Sequence, residues 1–143
     1  MQVQEMMTTE IHTVGCNDDL RLVYDIMEAG HIRHVPVMEG ASVVGIVSQR
    51  DVFRAQMSST IGVGERGQRH FLHSILVNDI MSSPVTTIGP KTPVSKAAAM
   101  MINHGIGCLP VVNEGDLVGF ITKTDLLQHL RNTGRDSEEL HDS

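Results

Sequence analysis

The sequence predicts a mixed α+β / α/β fold made of two units, each in the order β-α-β-β-α. Two observations predict it. First, Val44-Gly45-Ile46-Val47-Ser48-Gln49-Arg50-Asp51 recurs as Val118-Gly119-Phe120-Ile121-Thr122-Lys123-Thr124-Asp125, 74 residues later. The same offset pairs Met7 with Met81, Thr13 with Thr87, Gly15 with Gly89, Met27 with Met101, Ile32 with Ile106 and Pro36-Val37 with Pro110-Val111, without a gap from Met7 to Phe53. A tandem repeat decides the architecture before any single element does. Second, inside each copy a stretch with helical apolar spacing is followed by two short apolar runs parted by a turn.

The elements follow in order. Ile11 to Val14 reads as a short strand. Asp18 and Asp19 are candidate caps for a helix whose apolar stripe is Leu20, Val23, Tyr24 and Met27. Gly30 fits the left-handed residue that closes it. Ile32 to Met38 is a strand in which Pro36 predicts an edge or a bulge. Glu39-Gly40 turns the chain into a strand over Ser42 to Ser48, apolar enough to be buried on both faces. A helix from Gln49 or Arg50 to Gln56 ends the copy. In the second copy Val85 to Ile88 is a strand. Thr92 caps a helix with Pro93 at its first position and Val94, Ala97, Ala98, Met101 and Ile102 as its stripe. His104-Gly105 ends that helix. Strands at Cys108 to Val112 and Leu117 to Thr122 flank the turn Asn113 to Asp116, and a helix runs from Lys123 to Leu130. Val77 to Met81 reads as a short lead-in helix for the second copy. The expected domains are thus repeat one at 1–57, a linker at 58–76 with a mobile centre from Gly62 to Gly67, repeat two at 77–131, and a polar, disordered tail at 132–143.

Bulk properties narrow the function. Units of about 50 residues bury too little surface to be stable alone, so the two cores are expected to merge or pack on each other. Lys and Arg number 11 against 17 Asp and Glu, a net charge of −6. That balance opposes non-specific nucleic-acid binding, which needs a basic face. No run approaches the ~20 apolar residues of a membrane span. No signal peptide is read at the N-terminus. Cys16 and Cys108 are not repeat equivalents and match no metal spacing, so free thiols and a cytoplasmic setting are expected. The eight His form no H-E-x-x-H motif, no Gly-rich phosphate loop of the G-x-x-x-x-G-K type occurs, and no nucleophile stands beside a base. Neither a metal centre nor a catalytic one is expected.

Each copy closes on Ser48-x-x-Asp51 or Thr122-x-x-Asp125. The structural reading is a capping box, in which the hydroxyl caps the helix and the acid answers it. The binding reading uses the same geometry: a strand entering a helix aims free N–H groups at an anion, and a carboxylate one turn on accepts from ribose hydroxyls. Local physics alone leaves both open.

The whole pattern resembles the cystathionine-β-synthase (CBS) domain family, present as a stand-alone tandem pair. The resemblance rests on the opening Met7 and Met81, the strand ends Thr13 and Thr87, the strands Arg33-His34-Val35-Pro36-Val37-Met38 and Gly107-Cys108-Leu109-Pro110-Val111-Val112, and the closing Gly-h-h-Ser/Thr-x-x-Asp. It implies two units packed through their sheets as a pseudo-twofold pair, with clefts between them for an adenosine-type ligand: AMP, ADP, ATP or S-adenosylmethionine. It also implies that one site uses Ser48, Asp51 and the strand Ile32, Arg33, His34, Val35, Pro36, with Arg50 nearby. The other uses Thr122, Asp125 and Ile106, Gly107, Cys108, Leu109, Pro110, with Thr124 nearby. Thr13 and Thr87 complete the clefts. Arg33, His34 and Arg50 favour a phosphate in the first; Gly107, Cys108 and Thr124 do not. The implied function is a non-catalytic sensor that signals through a protein partner or a homodimer; Val52 and Phe53, or Leu126, Leu127 and Leu130, are candidate interface residues. The rival is an interaction module with empty clefts.

Overall fold

A computed structural model describes residues 1–57 and 73–141, with side chains up to residue 133. The expected mobile centre of the linker lies outside the described residues. The elements are a 3-10 turn at Val3–Glu5, β1 (Val14–Gly15), α1 (Leu20–Gly30), β2 (His34–Glu39), β3 (Ser42–Ser48), α2 (Gln49–Met57), α3 (Val77–Ile80), α4 (Val94–His104), β4 (Cys108–Asn113), β5 (Asp116–Thr122) and α5 (Lys123–His141). The chain divides into two compact units. One is central, Ile11–Val85; the other is terminal and joins Met1–Glu10 to Thr86–Ser143.

That division by packing does not follow the repeat boundaries 1–57 and 77–131. The repeats are continuous in sequence, but their lead-in segments are exchanged between the units. In the terminal unit the Thr8 N–H donates to the Phe120 carbonyl at 2.8 Å and the Phe120 N–H to the Thr8 carbonyl at 3.0 Å; Val3 donates to Thr92 and Gln4 to Pro90. In the central unit, each position shifted by 74, Ser82 and Ile46 exchange the same two bonds, while Val77 donates to Asp18 and Asn78 to Cys16. The lead-in helix α3, which opens the second repeat in sequence, therefore packs with the first.

Each unit closes its own core. Val14, Leu20, Val23, Met27, Val35, Val37, Val47, Val52 and Val77 fill the central one. Val3, Ile88, Ala97, Met101, Leu109, Val111 and Ile121 fill the terminal one. Burying each Val, Leu, Ile or Met side chain among them stabilises by ~1.5–3 kcal/mol. Val77 and Val3, both fully buried, come from the exchanged segments, so neither core is complete without its lead-in.

The hairpins form as expected. β2 pairs antiparallel with β3 and β4 with β5, with irregularities at Val37/Met38 and Val111/Val112. Pro36 and Pro110 sit opposite Ile46 and Phe120, whose own bonds run outward to the lead-ins. The missing proline N–H is therefore not needed between these strands. Several expectations shift. The first strand shortens to Val14–Gly15, paired parallel with Val37 and Met38. The strand expected at Val85 to Ile88 shrinks to a bridge between Ile88 and Val111. β3 keeps Val43, Val44 and Ile46 partly exposed, so it is not buried on both faces. His31, not Gly30, takes the left-handed position after α1 (φ 51°), a conformation for which His is among the more tolerant side chains. It is the repeat equivalent of Gly105, which closes α4. Pro93 rather than Thr92 is the residue preceding α4, and Ile102 stands 79 % exposed instead of in the stripe. Asp19 does cap α1 by accepting from Leu22 N–H, while Asp18 accepts from Gly15 N–H in the preceding turn. His73 lies 3.0 Å from Asp19 and holds that carboxyl below its ordinary range. The tail expected to be disordered continues α5 to His141; no Pro interrupts it, and Thr133 bonds back to the His129 carbonyl as a helix interior allows.

The exchanged segments approach the signature strands so closely that only glycine fits there. A Cβ on Gly119 would stand 2.7 Å from Met7 Sδ and 2.9 Å from the Thr8 carbonyl oxygen; one on Gly45 would stand 2.6 Å from Met81 Sδ and 3.0 Å from the Ser82 oxygen. The methionine can move, but the carbonyl is held in the ladder. Gly119→Ala and Gly45→Ala are therefore expected to destabilise by about 1–3 kcal/mol, the range for overpacking, read as a lower urea midpoint. Gly89→Ala, with nothing nearer than Thr92 Oγ1 at 3.9 Å, is the neutral control.

Candidate functional site

Each unit carries the same junction, where a strand passes without a loop into a helix. β3 ends at Ser48 and α2 starts at Gln49; β5 ends at Thr122 and α5 starts at Lys123. At the first junction Ser48 N–H donates to Asp51 Oδ2 at 2.8 Å and Asp51 N–H to Ser48 Oγ at 3.2 Å. At the second, Thr122 N–H donates to Asp125 Oδ2 at 2.9 Å and Asp125 N–H to Thr122 Oγ1 at 3.2 Å. Both capping boxes are closed. Each uses one carboxylate oxygen, Oδ2, and leaves Oδ1 outside it. The two Asp are half-buried.

The adjoining strand is held beside the junction. His34 pairs with Ser48 and Cys108 with Thr122. The carbonyl of Arg33 accepts from Gln49 N–H at 2.8 Å, and that of Gly107 from Lys123 N–H at 3.1 Å. One free N–H of each helix start is thus already satisfied. Val35 and Pro36, like Leu109 and Pro110, are buried; Ile32 and Ile106 are partly exposed. Thr13 and Thr87 are exposed. Thr13 directly precedes β1, whose Val14 lies beside Val37; it enters the sheet at the end where β2 starts. The structure gathers Ser48, Asp51, Arg33 and His34 at one end of the central sheet. Thr122, Asp125, Gly107 and Cys108 gather at the matching end of the terminal one.

Arg50 departs from this grouping. It lies on the face of α2 formed by Gln49, Phe53 and Gln56, and with Tyr24 and Met27 it lines a groove of about 540 Å³ between α1 and α2. Thr124 is exposed on the first turn of α5. One neighbour went unread in the sequence: Thr8, whose Oγ1 lies 3.4 Å from both oxygens of Asp125. A signal for it existed, because the 74-residue offset pairs Met7-Thr8 with Met81-Ser82 and keeps a hydroxyl after the methionine.

Electrostatics separate the two junctions. Arg33 and His34 border the first. At the second, the Cys108 thiol is pushed up to about 12, first by burial and then by the Asp125 carboxylate. It therefore stays a neutral thiol across the physiological range. Among the described residues, no group of three or more His, Cys, Asp or Glu is placed to hold a metal, and no helix is long and apolar enough to cross a membrane.

Two outcomes are expected from this geometry. Cys108 resists an alkylating reagent in the folded protein at pH 8, whereas Cys16, partly exposed, reacts; mass spectrometry after timed quenching reads both, and the thiolate requirement sets the contrast. Ser48→Ala and Thr122→Ala each lose about 1 kcal/mol of stability, the usual worth of an N-terminal cap, measured by urea titration.

The comparisons with known proteins agree with this architecture. The CBS domain model matches residues 3–58 and again 77–132. The crystal structure of a candidate acetoin utilization protein (AcuB) from Vibrio cholerae is 34 % identical and superposes with a TM-score of 0.77, covering 97 % of this chain and 96 % of that one. The CBS domain-containing protein YhcV of Bacillus subtilis is 27 % identical over 124 residues, 87 % of this chain and 81 % of the relative. The CBS domain pair of protein MJ0100, in complex with 5′-methylthioadenosine and S-adenosyl-L-methionine, shares the fold at 22 % identity and a TM-score of 0.77, over 91 % of this chain and 99 % of that one. The chain spans 44 % and 23 % of the length of two other curated relatives at similar identity. A two-fold match to one domain model, laid on two units with the same junction, means that this chain belongs to the CBS domain family as a tandem pair.

Proposed function

We propose that this chain is a non-catalytic regulatory module that binds an adenosine-type ligand, such as AMP, ADP, ATP or S-adenosylmethionine, at its Ser/Thr-x-x-Asp junctions. The observation that carries the reading is the pair of junctions. In each, a carboxylate is held rigidly by its capping box with one oxygen, Oδ1, outside it. A fixed acceptor beside an apolar strand suits a ribose and a base better than it suits any covalent step. The complex of the MJ0100 pair with two adenosine derivatives supports the ligand class. Binding would be passed on through a protein partner or a homodimer. Phe53 on α2 and Leu127 and Leu130 on α5, each at least 60 % exposed, are apolar enough to join copies.

A second reading, an interaction module that binds no nucleotide, is favoured by the closure of the capping boxes. They account for both hydroxyls and one oxygen of each acid without a ligand. A thermal-shift series with AMP, ADP, ATP and S-adenosylmethionine separates the two. A ligand at 100 times its dissociation constant adds ~2.7 kcal/mol of stability; no shift with any of them supports the interaction module. Light scattering at high micromolar concentration, with and without nucleotide, is expected to give a dimer.

The two sites are expected to be unequal. Arg33 and His34 stand where the second has Gly107 and Cys108, and a guanidinium makes the strongest bonds available to a phosphate. Titration calorimetry with AMP is expected to show one dominant site, lost in Asp51→Ala and mostly kept in Asp125→Ala. Added salt weakens it, because Arg33 is exposed. Equal sites, or selective loss in Asp125→Ala, reverse the assignment.

A further inference from the structure

We infer that copies of this chain recognise each other like face on like face: the α1–α2 face of the central unit meets its own counterpart, the α4–α5 face of the terminal unit meets its own, and Glu28 and Arg50 enforce the sorting. The inference rests on the homodimer named above and is independent of any ligand. The offset of 74 residues makes the two faces equivalent, yet their exposed side chains differ in kind. The groove between α1 and α2 is lined by Glu28, Arg50, Phe53 and Gln56, and by the buried Met27 and Val52. In the terminal unit Ile102 takes the place of Glu28, Thr124 that of Arg50 and Leu130 that of Gln56, while Leu127 matches Phe53. Ile102 is 79 % exposed and Leu127 and Leu130 are 65 % exposed, on two helices that pack on each other. Single exposed apolar residues are ordinary, but three gathered at positions that form a groove in the sister unit make a patch that calls for cover.

A twofold interface demands a surface that is complementary to itself. An apolar face meets that condition. So does a groove that carries one acid and one base, because a twofold axis sets Glu28 of one copy toward Arg50 of the other. Among the described residues neither is in an ion pair within its own chain, so both charges are available across an interface. The crossed arrangement, central face on terminal face, fails on charge. It covers Glu28 and Arg50 with aliphatic side chains, and a charge removed from water without its partner is costly. None of the terminal positions equivalent to the groove lining carries an acid for Arg50, and their one cation, Lys123 in place of Gln49, repels it. An unrelated partner needs no self-complementary surface, whereas both of these faces have one.

Mixing two full-length variants tests the sorting. Glu28→Arg and Arg50→Glu each leave the central groove with charge of one sign. Each alone is expected to dimerise about tenfold more weakly than the unmodified chain, and mixed in equal amounts at low salt they are expected to form the mixed dimer in about tenfold excess over its random share. Native mass spectrometry reads the composition. Arg54→Glu, exposed on α2 outside the groove, mixes at random with Glu28→Arg. On the terminal face Leu127→Glu is expected to weaken the dimer by about tenfold or more, and Leu130→Gln repeats the test one turn on; thermal melting checks that each variant stays folded. Random mixing of Glu28→Arg with Arg50→Glu, with the dimer intact, overturns the sorting alone. A dimer indifferent to both leucine variants overturns the role of the α4–α5 face. A monomeric unmodified chain at high micromolar concentration overturns the homodimer reading as well.

Discussion

Everything else in this structure depends on how closely a lead-in segment lies against the signature strand of the unit it joins. Two backbone bonds, Thr8 with Phe120 or Ser82 with Ile46, give the outer edge of each hairpin a partner. An unpaired edge strand invites association with other chains, so covering it protects the unit as well as stabilising it. The same contact lowers Met7 or Met81 onto the glycine and delivers Val3 or Val77 to the core. A methionine suits this place because an unbranched, flexible side chain follows the contour of a bare backbone.

The proposed binding chemistry draws on the same economy of structure. A strand that enters a helix directly must satisfy the first N–H groups of that helix. The neighbouring strand's carbonyl takes one, the hydroxyl a second, and the acid answers the strand's own N–H. The capping account and the ligand account are thus not competitors for the same atoms. The box holds one oxygen of each Asp and thereby orients the other, and an acceptor oriented in advance loses little freedom when something binds.

Much of this was legible in the sequence, for identifiable reasons. β3 and β5 were readable because an unbroken apolar run ends on a hydroxyl three residues before an acid. The hairpins were readable because a short polar turn with a Gly, Glu39-Gly40 or Asn113 to Asp116, parts two apolar runs in each copy. α1 was readable from Leu20, Val23 and Met27. The misreadings have equally local causes. Ile102 satisfies a helical spacing that the narrower stripe of Ala97 and Met101 does not need. Ile11 to Thr13 look like strand, but β1 reaches its partner only where Val14 meets Val37. Arg50 is adjacent to Asp51 in sequence, yet one residue along a helix is a large rotation, and it faces the α1–α2 groove. The exchange of lead-ins was not legible at all. An offset of 74 states which residues are equivalent, and it reads the same whether each lead-in packs on its own repeat or on the other. For that reason Thr8 escaped notice beside Asp125.

The exchange also sets an order of birth. On the ribosome residues 1–10 emerge before β5, the strand that receives them. The central unit is complete once Val85 has appeared, because α3 and Ser82 follow the hairpin they cover in the chain. Met1 to Glu10 must wait, with Val3, Met6 and Met7 unburied, until β5 is made. Synthesis at roughly 5–20 residues per second makes that wait a matter of seconds, long compared with the microseconds in which a hairpin closes. Nascent chains crowded on one message would thus expose Val3, Met6 and Met7 to each other's finished β5 strands, and the speed of translation between Val85 and Thr122 becomes a determinant of whether each chain is sewn to itself or to its neighbour.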